Sequence, residues 1–117
     1  MNFDPIITNP GRLSILTALC RESRKDFVSL RSATRLTDGN LTTHARKLAS
    51  AGLVTIEKAA RDGAPPEARP VTYITLTDEG REALALHVAT LTTSMTATPV
   101  MEHVHAAAEQ TQESWID

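Results

Sequence analysis

Aromatic side chains are nearly missing from this chain. Phe3, Phe27, Tyr73 and Trp115 are the only four in 117 residues, so the interior must be mostly Leu, Ile, Val and Ala, which suits helices packed on a small sheet. A single cysteine, Cys20, excludes an internal disulfide. There is no charged-then-apolar leader and no apolar run of about 18 residues, so the chain is expected to be soluble and cytoplasmic, with no membrane partner. Nucleophile motifs, phosphate-cradling glycine loops and zinc signatures are also missing, and the carboxylates gather in the tail at surface helical positions. The expectation is a protein without catalytic activity, cofactor or metal. Its length fits one domain plus an appendage, with little room for a deep cleft.

What charge there is lies unevenly. The formal net charge of −2 conceals an excess of +5 over residues 12–69 and of −6 over residues 70–117. Attraction to phosphate depends on where cations sit rather than on their sum, so the centre suits a polyanion and the tail does not.

Local signals give the element order. In "NPGRLSILTALCRES" Asn9 is an N-cap and Pro10 suits the first helical position. Leu13, Leu16 and Cys20 share one face of this helix, while Ile15, Ala18 and Leu19 lie away from it, so the helix is expected to touch two partners. Asp26 caps a short helix to about Thr34, with Phe27, Leu30 and Ala33 turned inward. Thr37 or Asp38 caps the next, whose inward residues are Leu41, Ala45 and Leu48. The connection between these two helices is so short that they must cross sharply, as in a helix-turn-helix. Gly52 suits a left-handed helix end, and "LVTIEKA" and "RPVTYITLT" read as the strands of a hairpin around the polar turn "ARDGAPPEA". Thr77 caps a further helix carrying Leu84, Val88, Leu91 and Met95 on one stripe. A last amphipathic helix from about Val100 carries Met101, Val104, Ala108 and Trp115.

The fold class is therefore mainly α with a small β-hairpin (α+β): a winged helix-turn-helix followed by C-terminal helices. Residues 1–77 form the core, 53–76 the wing, and 78–117 the C-terminal helices. "NPGRLSIL", "DGNLTTHARKLASAGLV" and "TYITLTDEGREAL" resemble, in order and spacing, the motifs of compact bacterial winged-helix regulators related to the MarR and ArsR groups. The resemblance covers roughly residues 5–90. Ala45 departs from it by standing where that family often has Leu, and the helix after Pro99 is not fixed by these motifs.

The resemblance implies binding to double-stranded DNA, with the helix over 38–51 in the major groove. At 100° per residue, an inward stripe of Leu41, Ala45 and Leu48 places Gly39, Thr43, Arg46 and Ser50 outward and Asn40, Thr42 and Lys47 on the flanks. Asn40, Thr42 and Thr43 suit base edges or phosphate oxygens, and Arg46 suits a forked contact to guanine or a phosphate. Gly39 lowers helix propensity by about 1 kcal/mol relative to Ala, and close backbone approach to DNA offers a reason for it. His44 lies between core and surface; the family commonly has His there, as a boundary residue or phosphate contact. Arg31 and Arg35 are candidate phosphate clamps. In the wing, Lys58, Arg61 and Arg69 bracket a Gly-Pro loop, which in proteins of this type reaches the minor groove or flanking phosphates.

One winged helix reads few base pairs, and two-fold pairing doubles the site to an inverted repeat. The apolar surface of Ile15, Leu19, Leu84, Val88, Leu91, Met95, Met101, Val104 and Trp115 is read as a homodimer interface. Repression is the usual outcome in the families it resembles. Related regulators accept small-molecule effectors beside their dimer helices, but nothing in the sequence identifies one. Cys20 is expected to be a buried inert thiol rather than a redox sensor. His103 and His105 point about 200° apart on a helix and cannot join His87 around one metal ion. The alternative from another class is a winged helix used as a protein-binding module, with the acidic C-terminal half as its contact surface.

Overall fold

The computed structural model describes residues 4–96, the side chains of 94–96 excepted. Five helices and three strands follow in the order α1 (Pro5–Thr8), α2 (Pro10–Arg21), β1 (Arg24–Asp26), α3 (Phe27–Thr34), α4 (Asp38–Ser50), β2 (Val54–Ala59), β3 (Val71–Leu76) and α5 (Asp78–Thr96). The capping residues read from the sequence act as such. The Asn9 side chain accepts from the amides of Gly11 and Arg12, that of Asp26 from Ser29, Thr37 from Asn40 and Thr77 from Gly80. Two elements were not foreseen. The one-turn α1 is started by Asp4, which accepts the Ile6 amide, and β1 is only three residues long, all charged.

The sheet is antiparallel, in the order β1-β3-β2. Its register aligns Asp26 with Tyr73 and Glu57 in one row, and Lys25 with Ile74 and Ile56 in the next. Because side chains alternate across a strand, Ile56, Lys58, Thr72 and Ile74 share the face toward α4, and Arg24, Asp26, Glu57 and Tyr73 share the other.

Of the described residues, 4–87 form one compact unit, and a second begins at Val88 within the length of α5. The core of the first contains Ile7, Ile15, Leu16, Leu19, Leu30, Leu41, Ala45, Leu48, Leu53, Val54, Ile74, Leu76 and Leu84. The inward face of α2 differs from the one expected. Ile15, Leu16 and Leu19 are fully buried, Leu13 is half-buried, and Cys20 is exposed. The stripe that turns inward begins at Arg12, at the spacing i, i+3, i+4, i+7, and an arginine at its head disguises it. Ala33 is likewise exposed, so α3 is anchored by Leu30, with Phe27 partly buried.

Arg12 is itself buried. Its Nε donates to the Ile6 carbonyl at 2.6 Å, Nη2 to the Pro5 carbonyl at 3.3 Å, and Nη1 lies 3.4 Å from Nδ1 of His44. A guanidinium has no acceptor, so Nδ1 must accept and His44 must be the neutral tautomer with its proton on Nε2. The imidazole packs against Gly11, where a Cβ would lie 2.6 Å from Nε2. These contacts pin α4 to the start of α2. At its other end, Gly52 takes a left-handed φ of 79° and the Leu53 amide returns to the Leu48 carbonyl. The Thr77 hydroxyl donates to the Gly52 carbonyl at 2.7 Å, and its amide to the Leu53 carbonyl at 3.1 Å. Helix α5 therefore starts against the end of α4.

Two stability measurements test this framework. A Cβ at Gly80 would collide with the Leu53 carbonyl oxygen and lie 2.8 Å from Leu76 Cδ1. The backbone clash outweighs the gain in helix propensity, so Gly80→Ala is expected to destabilise by about 1–3 kcal/mol in urea denaturation. Burial, and then the charges of Arg12 and Lys47, lower the pKa of His44 from its ordinary 6.5. The unfolded chain therefore binds this proton more readily than the native one, so the contribution of His44 is complete above about pH 6.5 and is lost as pH falls below it. His44→Gln should flatten the pH dependence of stability between about pH 7.5 and 5.5 relative to wild type.

Candidate nucleic-acid interface

On α4 the outward side is free. Gly39, Asn40, Thr43, Arg46, Lys47 and Ser50 are exposed, opposite the buried Leu41, Ala45 and Leu48. Thr42 is half-buried and its hydroxyl donates to the Asp38 carbonyl at 2.8 Å, which leaves its oxygen lone pairs as acceptors. His44 is turned back toward Arg12, so it braces the helix rather than joining the outward row. Arg31 is held by Asp38, Nη1 to Oδ1 at 2.7 Å, and this ion pair ties α3 to the first turn of α4.

Two residues beside the start of α4 run against local conformational preference. Arg35 ends α3 with a φ of 59° and a ψ of 23°, a left-handed position at which glycine would avoid the steric cost of a Cβ. Gly39 is helical, and a Cβ there would meet nothing within 4 Å. The fold would accept a glycine at the first position and an alanine at the second, yet the chain has arginine at the first and glycine at the second.

The wing's cations divide between the two faces of the sheet. Lys58 lies on the α4 side, where Phe27, Thr42, Ala45, Arg46, Ile56 and Thr72 help line a groove of about 330 Å³ between α4 and the strands. Arg61 lies across the other face, with Nη2 3.7 Å from Oδ2 of Asp26. The hydroxyl of Ser29, donating to Asp26 at 2.6 Å, holds that carboxyl below its ordinary pKa, and the charge of Arg61 adds to the effect. Arg69 is exposed in the wing loop.

Sequence reasoning missed Arg12 as the brace of α4, and Arg24 and Asp26 as the ion-pair partners of Asp62 and Arg61 in the wing loop. From the sequence, Asp26 reads only as a cap. For Arg12 the signal was its place in the i, i+3, i+4, i+7 stripe of α2; for Arg24 no local pattern exists. The expected dimer surface is also smaller than the sequence implied. Ile15, Leu19 and Leu84 are buried within the protomer, so they are not available to a second subunit. Val88 and Leu91 are 53% and 42% exposed, and Leu86, which had not been assigned, is exposed as well. The Met95 side chain, Met101, Val104 and Trp115 lie outside the described residues. Among the described residues there is no group of three or more metal-ligating side chains, and no helix is long and apolar enough to cross a membrane.

Comparison with known proteins agrees with this geometry. A transcriptional regulator homologue from Pyrococcus horikoshii OT3 is 30% identical, with a TM-score of 0.69 over 79% of this chain and 86% of that one. The transcriptional repressor CouR, solved bound to a 23-mer DNA duplex, is 19% identical with a TM-score of 0.65, covering 96% of this chain and 76% of its own. A MarR-family regulator from Silicibacter pomeroyi is 17% identical with a TM-score of 0.58, covering 96% and 75%. No curated protein matches the chain. The model of the winged helix DNA-binding domain matches residues 12–95, from the buried arginine of α2 almost to the end of α5. The chain thus belongs to the winged helix DNA-binding domain family, and its fold and family are those of DNA-binding transcriptional regulators.

Proposed function

We propose that the protein binds a specific double-stranded DNA site as a homodimer, with α4 of each protomer in the major groove of one half of an inverted repeat, and that it represses transcription by occupying the promoter. The observation that carries this reading is the free outer side of α4, where Asn40, Thr43, Arg46 and Lys47 stand exposed while the opposite side is locked into the core. The major groove admits a helix of this kind and presents a distinct hydrogen-bonding pattern for each base pair. Lys58, on the same side of the sheet as α4, supplies the wing's contact to phosphate, with Arg69 beyond it.

Arg35 and Gly39 support the same reading. A left-handed arginine and an unrequired helical glycine both cost stability, and such departures collect at functional sites. Arg35 then serves as a phosphate contact, and Gly39 lets the helix backbone approach the duplex. The exposed Val88 and Leu91 are the available part of a dimer surface on α5. A small-molecule effector is left unassigned, because no described cavity carries a chemistry that singles one out.

Selection of bound sites from random duplexes should return an inverted repeat with half-sites about one helical turn apart; recovery of no enriched sequence would refute the reading. Arg46→Ala is expected to weaken specific binding by about 1–3 kcal/mol and to relax the preference at one base pair. Gly39→Ala and Arg35→Gly should both leave the melting temperature unchanged or higher, by up to the equivalent of about 1 kcal/mol, while lowering affinity for the selected site. Thermal melts and fluorescence titrations of the two variants check both halves of that expectation.

A further inference from the structure

The sheet face turned away from α4 carries a chain of charge contacts that the proposed DNA contacts do not use. Tyr73, in the central strand, is 7% exposed although it points away from the core-side row of Ile74. The Arg24 guanidinium covers it, 3.5 Å from the ring centroid. From there Arg24 reaches Glu57 on β2 at 3.9 Å and Asp62 in the wing loop at 3.6 Å. The next residue back, Arg61, crosses to Asp26 at the sheet's opposite edge. Arg61 and Asp62, the second and third residues of the wing loop, are thus drawn over the same face by partners on β1. Single exposed ion pairs contribute little, but several charges sharing one stacked arginine over a covered ring act as a network.

We propose that Arg24 and Asp26 are positioning residues for the wing: by holding Asp62 and Arg61 against the sheet face remote from α4, they fix the direction in which the wing loop leaves β2 and withdraw Arg61 from the phosphate contacts. Lys58, on the opposite face, is then the cation at the base of the wing that meets the duplex. The latch stands on the free protein's own contacts, whereas its effect on binding rests on the DNA reading above.

Two variants break the latch while sparing the fold. Asp26→Ser keeps an N-cap for α3 but removes the charge that faces Arg61, and Arg24→Met keeps an apolar stem over Tyr73 but removes the charge that faces Glu57 and Asp62. Hydrogen exchange of the amides over residues 60–70 in the free protein should quicken about two- to fivefold in each variant, the range given by surface ion pairs. Unchanged exchange in both would overturn the latch.

With duplex DNA carrying the selected site, Arg61→Ala and Asp26→Ser should each weaken binding about two- to fivefold, and the double variant should be no weaker than the worse single one. Neither should alter the slope of log affinity against log salt, whereas Lys58→Ala should reduce it by about 0.9, the release of one phosphate's counterion. If Arg61 is itself a phosphate ligand, Arg61→Ala lowers the slope and Asp26→Ser, by freeing it, strengthens binding; either result refutes the proposal. Absence of duplex binding by the wild type, together with quickened exchange in the variants, would support the latch and sink the DNA reading.

Discussion

Burial of Leu41, Ala45 and Leu48 against α2 and β2 is the interaction on which the exposed surface of α4 depends. Each buried leucine contributes about 1.5–3 kcal/mol, more than the polar residues on the other side gain from helix formation. Once that stripe is fixed, the helix has no rotational freedom left, and the identity of every outward residue follows from its angle. A polar and basic row can then be held away from the protein without any stabilising partner of its own, because the energy that orients it comes from behind.

The charged anchors around α4 refine this placement rather than create it. Arg12 is surrounded by carbonyls of α1 and by a neutral imidazole, so its charge is satisfied within the protein and is not offered to a ligand. Arg31 is paired with Asp38 at the surface, where both side chains stay exposed. Counting cations along the basic centre therefore overstates what faces a polyanion. The exposed cations of the centre are Arg21, Arg35, Arg46, Lys47, Lys58, Arg61 and Arg69, of which only Arg35 shows a backbone conformation that resists its own side chain.

Much of this was legible beforehand, for a physical reason. Caps, the left-handed glycine and the periodic stripe of α4 are local chemistry, and local chemistry is written in neighbouring residues: Thr37, Gly52 and Thr77 do what their positions imply. What escaped depended on distant partners. The three charged residues of β1 hold no strand pattern and pair with β3 only because the chain returns there some fifty residues later. Cys20 was assigned to the interior because an arginine heads the true inward stripe of α2, and hydrophobic periodicity does not count a buried guanidinium. The ion pair of Arg61 with Asp26 was not legible because the two are remote in sequence.

The junction at Thr77 carries a geometrical consequence. Its hydroxyl and amide fasten the first turn of α5 to the closing turn of α4, and Gly80 is small enough to let the two meet. Within the first unit, the start of α5 is thereby set by the end of α4 rather than by a pliant linker. Crowding at this corner would therefore be felt at both helices at once, because the Leu53 carbonyl that Gly80 clears also accepts the Thr77 amide.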